Sequence, residues 1–174
     1  MQMLAAGGMP LLTDGVREAD TDNPQGYHEL EAVKGLARDA GFLERADGRA
    51  VKVVAPLLRY LPEEAGRHYR VVFSQRALDE VMASQSVMLE RLGSVEAGRD
   101  DAKLEGAFAG QLEGVHDLLL RRTDMDALFL RYAEVVADPV AAARGIAVFL
   151  GTGLDPGAMA AVVDASLYRQ RRRR

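Results

Sequence analysis

Arg76 stands where a cation could bind an anionic ligand. The apolar run Val71–Phe73 just before it predicts a strand buried on both faces of a parallel sheet. From Leu78 to Leu92, apolar residues recur at helical spacing, which predicts a helix of about four turns. Arg76 would then lie between the carboxyl end of a strand and the start of a helix, where open α/β sheets bind ligands. The alternative is a surface arginine that serves only its own helix.

Ser84 follows Arg76 by eight residues, and the segment that contains both, residues 71–85, reads VVFSQRALDEVMASQ. This pair is similar to the arginine and serine that bind the 3′-phosphate in sulfotransferases that use 3′-phosphoadenosine 5′-phosphosulfate (PAPS). The segment resembles the bacterial members of that family in particular. The resemblance implies PAPS as co-substrate, no metal, and contacts from Arg76 and Ser84 to the 3′-phosphate.

The segment NPQGYHE, residues 23–29, resembles the form N-P-x-G-(aromatic)-x-E of bacterial sulfotransferases, whose glutamate lies close to the acceptor. Sulfuryl transfer should have a loose transition state, as phosphoryl transfer does, so deprotonating the acceptor is the main chemical task left to a side chain. The resemblance implies Glu29 as the general base, with His28 as the other candidate. Alternatively, Glu29 only stabilises the first turn of a helix running to about Ala40.

Lys52 lies in the run AVKVVAP, Ala50 to Pro56, which predicts a second buried strand. The comparable strand of animal cytosolic sulfotransferases carries a lysine and, two residues later, the catalytic histidine. If Lys52 matches that lysine, the histidine position is Val54, which cannot accept a proton. The resemblance then leaves Lys52 to stabilise charge on the transferred sulfuryl oxygens. A solvated lysine at the edge of a strand is the alternative.

Tyr132 lies in the tail of a third predicted strand, Asp126 to Glu134. The tail RYAEVVADP resembles the RYEDLVxDP phrase of the superfamily, which implies that Tyr132 lies near the adenine; an ordinary strand-end aromatic is the alternative. Asp138-Pro139 predicts a helix that runs to Gly151, and Asp155-Pro156 predicts a last short helix. The closing VVDASLYRQ also resembles the family's ending, so the likeness extends over residues 1 to about 170.

The opening residues, MQMLAAGG, resemble the later turns of the helix that follows the phosphosulfate loop in this family. The sequence contains no G-x-x-x-x-G-K-[ST] motif, and we expect this chain to lack the first strand and the loop whose backbone amides hold the 5′-phosphosulfate. Neighbouring strands would then have an exposed edge. We therefore expect marginal stability or self-association through that edge.

The composition predicts one domain, residues 1–168, followed by a basic tail, residues 169–174. A net charge of -4 argues against nucleic-acid binding, and the absence of cysteine excludes disulfides and thiol nucleophiles. No apolar run reaches the roughly 18 residues of a membrane span. We expect a soluble, cytoplasmic protein.

The predicted architecture is a three-layer α/β/α domain with a mostly parallel sheet, of the P-loop nucleoside triphosphate hydrolase type. The resemblance implies transfer of a sulfuryl group from PAPS to a hydroxyl or amine of a small-molecule or glycan acceptor. The alternative is a non-catalytic remnant or a module that binds a nucleotide or a partner, because the phosphosulfate loop is absent.

Overall fold

The computed structural model describes residues 1–17, 19–20, 23, 26–82, 101–151 and 153–168, and the side chains of residues 101–105 are outside the description. The strands are β1 (Tyr69–Gln75) and β2 (Met125–Arg131). The helices are α1 (Gln2–Ala6), α2 (described over residues 78–82), α3 (Asp101–Arg121), α4 (Tyr132–Ala137), α5 (Pro139–Leu150) and α6 (Pro156–Ala161), with 3₁₀ turns at Glu31–Gly35, Gly41–Arg45, Ala55–Tyr60 and Ala165–Leu167. None of the described helices is both long and apolar enough to cross a membrane.

The two strands form a parallel sheet, so the chain is a mixed α/β protein. Their register runs from Tyr69 opposite Met125 to Gln75 opposite Arg131. The prediction of a strand before Arg76 and of a helix after it is confirmed for the described residues. The third predicted strand also exists, but it ends at Arg131, and its expected tail is helix α4 instead.

Apolar side chains cover both faces of this sheet, as the continuous apolar run predicts. Alternate strand residues point to opposite sides. One core includes Val115 and Leu119 of α3 and the strand residues Tyr69, Val71, Phe73, Met125, Ala127 and Phe129. Val72, Leu128 and Leu130 pack in a second core that includes Ile146 of α5, Met159 of α6 and Leu4 of α1. Helices therefore lie against both faces of the two strands.

The predicted start and end of α5 and the predicted start of α6 are confirmed. The Asp138 carboxylate accepts a hydrogen bond from the Ala141 amide at 2.9 Å, and Gly151 ends α5 in the left-handed region at φ 63°. Asp155 starts α6 in the same way, accepting from the amides of Gly157 and Ala158. These caps satisfy backbone groups that a helix end leaves without partners.

Two other predicted elements are wrong. Ala50 forms a single parallel bridge with Leu11, residues 51–54 form no ladder, and the chain then enters the 3₁₀ turn at Ala55–Tyr60, so the expected strand at Ala50 to Pro56 does not form. A strand needs a neighbour along its length, and this segment has one at a single residue. The helix expected to run to Ala40 is a short 3₁₀ turn, Glu31–Gly35, that buries Val33.

Candidate functional site

Arg76 and Tyr132 meet at the carboxyl edge of the sheet. Arg76 directly follows β1 and Tyr132 directly follows β2, and because the strands are parallel both residues lie at the same edge. The guanidinium carbon of Arg76 is 5.6 Å from the centroid of the Tyr132 ring, within the range of a cation–π contact. Two predicted nucleotide-binding residues are thus brought together.

Glu80 and Tyr168 complete a group that we call the arginine cluster, Arg76, Glu80, Tyr132 and Tyr168. The Arg76 guanidinium carbon lies 5.3 Å from the Tyr168 ring centroid, and the two tyrosine rings meet edge to face at 5.1 Å. The Glu80 carboxylate accepts a hydrogen bond from Arg76 Nε at 3.2 Å and from the Tyr168 hydroxyl at 2.6 and 2.8 Å.

Helix α2 and the last 3₁₀ turn position these side chains. Glu80 follows Arg76 by four residues, the spacing at which side chains share one face of a helix, and that spacing is the sequence signal by which Glu80 could have been found. Tyr168 directly follows the turn Ala165–Leu167. The Asp164 carboxylate caps this turn by accepting a hydrogen bond from the Ser166 amide at 2.8 Å. Tyr168 and Glu80 are 88 residues apart, so no local pattern could pair them.

Ser84, the other predicted 3′-phosphate contact, lies outside the described residues. The same is true of the basic tail, residues 169–174.

Glu29 and Lys52, the two predicted catalytic residues, form an ion pair. Lys52 Nζ donates to Glu29 Oε1 at 3.1 Å and to the Tyr27 carbonyl at 3.1 Å. Arg17 Nη1 lies 3.4 Å from the same Glu29 oxygen, and its guanidinium carbon lies 3.3 Å from the centroid of the Tyr27 ring. Together with His28, these residues form what we call the lysine cluster.

A loop crossing fixes the backbone of this cluster. The Asp14 amide donates to the Glu29 carbonyl at 3.2 Å, and the Asp14 carboxylate accepts from the amides of Val16 and Glu31. These amides lower the pKa of the Asp14 carboxyl. Asp14 therefore remains an anion, and its hydrogen bonds hold the backbone of the segment that carries Glu29 in place.

Opposing effects set the proton affinity of Glu29. Partial burial raises the pKa of its carboxyl, but the hydrogen bond and charge of Lys52, together with Arg17, outweigh burial and leave the pKa lowered. Glu29 is therefore an anion at neutral pH. A proton transferred to its carboxylate would have to compete with Lys52 and Arg17 for the same oxygens.

His28 differs from its neighbours in backbone and in partners. Its φ is 49°, in the left-handed region that histidine enters more often than most residues but that still carries strain. Within the described part of the chain, its Nε2 is buried and has no hydrogen-bond partner. Burial lowers the pKa of the imidazole, and the amino terminus and Lys52 lower it further. His28 is therefore neutral at pH 7 and has a nitrogen that can accept a proton.

An open cleft of about 1370 Å³ runs along β1. Its lining includes Lys52, Tyr132 and, on β1, Arg70 and Ser74. One residue of each cluster therefore borders the same space, and a ligand in the cleft could contact both.

The sequence predicts Arg76, Tyr132, Glu29 and Lys52 as site residues, whereas Glu80 and Tyr168 emerge only from the fold. Each cluster joins residues from separate parts of the chain around a cation. No protein-family model, curated protein or solved structure significantly matches this chain.

Proposed function

We propose that this chain is a sulfotransferase-like protein that transfers a sulfuryl group from PAPS to a hydroxyl or amine acceptor, on a three-layer α/β/α fold of the P-loop type. The observation that carries the proposal is the meeting of Arg76 and Tyr132, 5.6 Å apart, just beyond the carboxyl ends of two parallel strands. A guanidinium suits a phosphate, and an aromatic ring beside it suits a nucleobase. Adenosine 3′,5′-bisphosphate carries both groups.

The lysine cluster supports the transfer step. In that step the bond from sulfur to the phosphate oxygen of PAPS breaks, a bond from sulfur to the acceptor oxygen or nitrogen forms, and adenosine 3′,5′-bisphosphate leaves. The acceptor loses a proton, for which Glu29 is the base implied by the resemblance and the neutral His28 is the other candidate. Lys52 would stabilise the negative charge of the sulfuryl oxygens.

Calorimetry with adenosine 3′,5′-bisphosphate tests the nucleotide assignment. We expect the parent protein to bind and Arg76→Ala to lose about tenfold to a hundredfold in affinity, since charge-assisted bonds to phosphate are among the stronger ones. Arg121→Ala is the control, because that arginine is 76% exposed at the end of α3 and pairs only with Asp117 in the structure described. A parent that does not bind, or an Arg76→Ala protein that binds as well as the parent, contradicts the assignment.

A binding module without catalysis is the second candidate. It is favoured by the engagement of Lys52 with Glu29 and the Tyr27 carbonyl, since these contacts already occupy the lysine that would stabilise the sulfuryl oxygens. Incubation with PAPS and a mixture of phenol, sugar and amine acceptors separates the two. Release of adenosine 3′,5′-bisphosphate above the acceptor-free rate supports the enzyme, and binding without such release supports the module.

A further inference from the structure

We infer that Glu80 and Tyr168 are positioning residues that hold the Arg76 guanidinium for the 3′-phosphate, and that they thereby set the preference for 3′-phosphorylated nucleotides over 5′-monophosphates. The inference rests on the proposed function. It extends that function to two residues that no sequence motif assigns.

The first ground is the burial of Glu80. Glu80 is only 5% exposed, although a carboxylate is costly to remove from water. The comparable pair four residues apart on α3, Asp117 and Arg121, stays exposed. A buried ion pair is weak evidence for a gain in stability, because an apolar pair of similar size often stabilises a fold equally well. Fixing the geometry of Arg76 is therefore the better explanation for the buried Glu80 carboxylate.

The second ground is the direction of the contacts. Glu80 is bonded to Arg76 at Nε, and Tyr168 donates its hydroxyl to both oxygens of the same carboxylate. Because the guanidinium is planar, a bond at Nε together with the rings of Tyr132 and Tyr168 fixes the orientation of that plane. Tyr168 thus acts on Arg76 through Glu80 and also through its ring.

Positioning and simple electrostatics predict opposite effects for Glu80. By Coulomb's law alone, removing a carboxylate near an anion site should strengthen the binding of a phosphate. If Glu80 orients Arg76, removing its charge should weaken binding of the 3′-phosphate instead. The sign of the change therefore separates the two roles.

The experiment measures the affinities of adenosine 3′,5′-bisphosphate and adenosine 5′-monophosphate for the parent, Glu80→Gln and Tyr168→Phe, with Asp117→Asn as control. Glu80→Gln keeps the shape and removes the charge, whereas Tyr168→Phe keeps the ring and removes the hydroxyl. We expect each to weaken the bisphosphate about tenfold and the monophosphate less than about twofold, because only the first ligand has the 3′-phosphate. The control should bind both as the parent does.

Several results would overturn the inference. Tighter bisphosphate binding by Glu80→Gln would leave only the Coulomb effect, and equal losses for both nucleotides in both variants would indicate general loosening of the fold. If Glu80→Gln does not fold, an unchanged affinity ratio in Tyr168→Phe decides against positioning. If the parent binds the bisphosphate and both variants keep the parent's ratio of bisphosphate to monophosphate affinity, this inference alone is contradicted. If the parent binds neither nucleotide, both the proposed function and this inference are contradicted.

Discussion

Glu29 and His28 are neighbours in sequence, yet Glu29 is charged and His28 is neutral within the lysine cluster. The pKa of each is lowered, so Glu29 is an anion and His28 is neutral at pH 7. Both are consequently in the form that accepts a proton. Glu29 has two cationic partners, whereas the buried His28 Nε2 has no hydrogen-bond partner in the described residues. Resemblance alone pointed to Glu29, because the environment of His28 depends on contacts that the sequence does not reveal.

A pH dependence of stability follows for His28. Its folded pKa lies below the ordinary value of 6.5, so the unfolded chain takes up a proton first as the pH falls. We expect the free energy of unfolding to decrease from about pH 6.5 down to the folded pKa, and His28→Asn, which tolerates the left-handed backbone, to remove this part of the decrease. Urea titrations across this range measure the effect.

The control for that titration is Val148→Asn. Val148 is 84% exposed on α5 and carries no titratable group, so its replacement should leave the slope in place. A His28→Asn protein whose stability falls with pH as steeply as the parent's would show that His28 is not the group responsible.

At the scale of elements, the features predicted correctly are those encoded by adjacent residues. Asp138, Pro139 and Gly151 mark both ends of α5, because capping depends on a few bonds within one turn. The prediction of a strand at Ala50 to Pro56 was wrong because an apolar run specifies burial but does not specify a neighbouring strand. The pairing of Glu80 with Tyr168 was missed for the same reason, since it joins distant segments.

Gly7, just after the end of α1, and Gly145, within α5, should respond oppositely to substitution by alanine. A Cβ at Gly7 would lie 2.5 Å from Cγ of Met159, which is fully buried, so Gly7→Ala should lower the free energy of unfolding by about 1–3 kcal/mol. Gly145 is exposed within α5 and a Cβ there meets no atom within 4 Å, so Gly145→Ala should raise it by about 0.5–1 kcal/mol. Chemical denaturation measures both. Destabilisation by Gly145→Ala, or a neutral Gly7→Ala, would contradict the packing described.

At the scale of the whole molecule, the open cleft leaves the part of β1 away from β2 accessible. Ser74 is exposed and lines this cleft, and β1 pairs only with β2 in the described residues. A strand edge of this kind invites pairing with a second chain. If the chain self-associates as the sequence predicts, we expect the association to use this edge.

Sedimentation velocity over a range of concentrations tests this surface. We expect the parent to associate as concentration rises, and Ser74→Lys to shift the protein toward monomer, because a lysine on an edge opposes strand pairing. Val148→Lys is the matched control: Val148 is 84% exposed on α5 and does not line the cleft. A parent that is monomeric at all concentrations, or equal effects of the two lysines, would contradict this assignment.

The alternation of β1 and β2 between two cores has a consequence for how the chain folds. Phe73 and Phe129 belong to one core, Val72 and Leu128 belong to the other, and in each pair the two residues are opposite each other in the register. Neither core can close until the strands have found one another across the intervening helices, a slow, non-local step. Once they pair, both cores gain their strand side chains together. We therefore expect the two cores to form and melt in one cooperative transition.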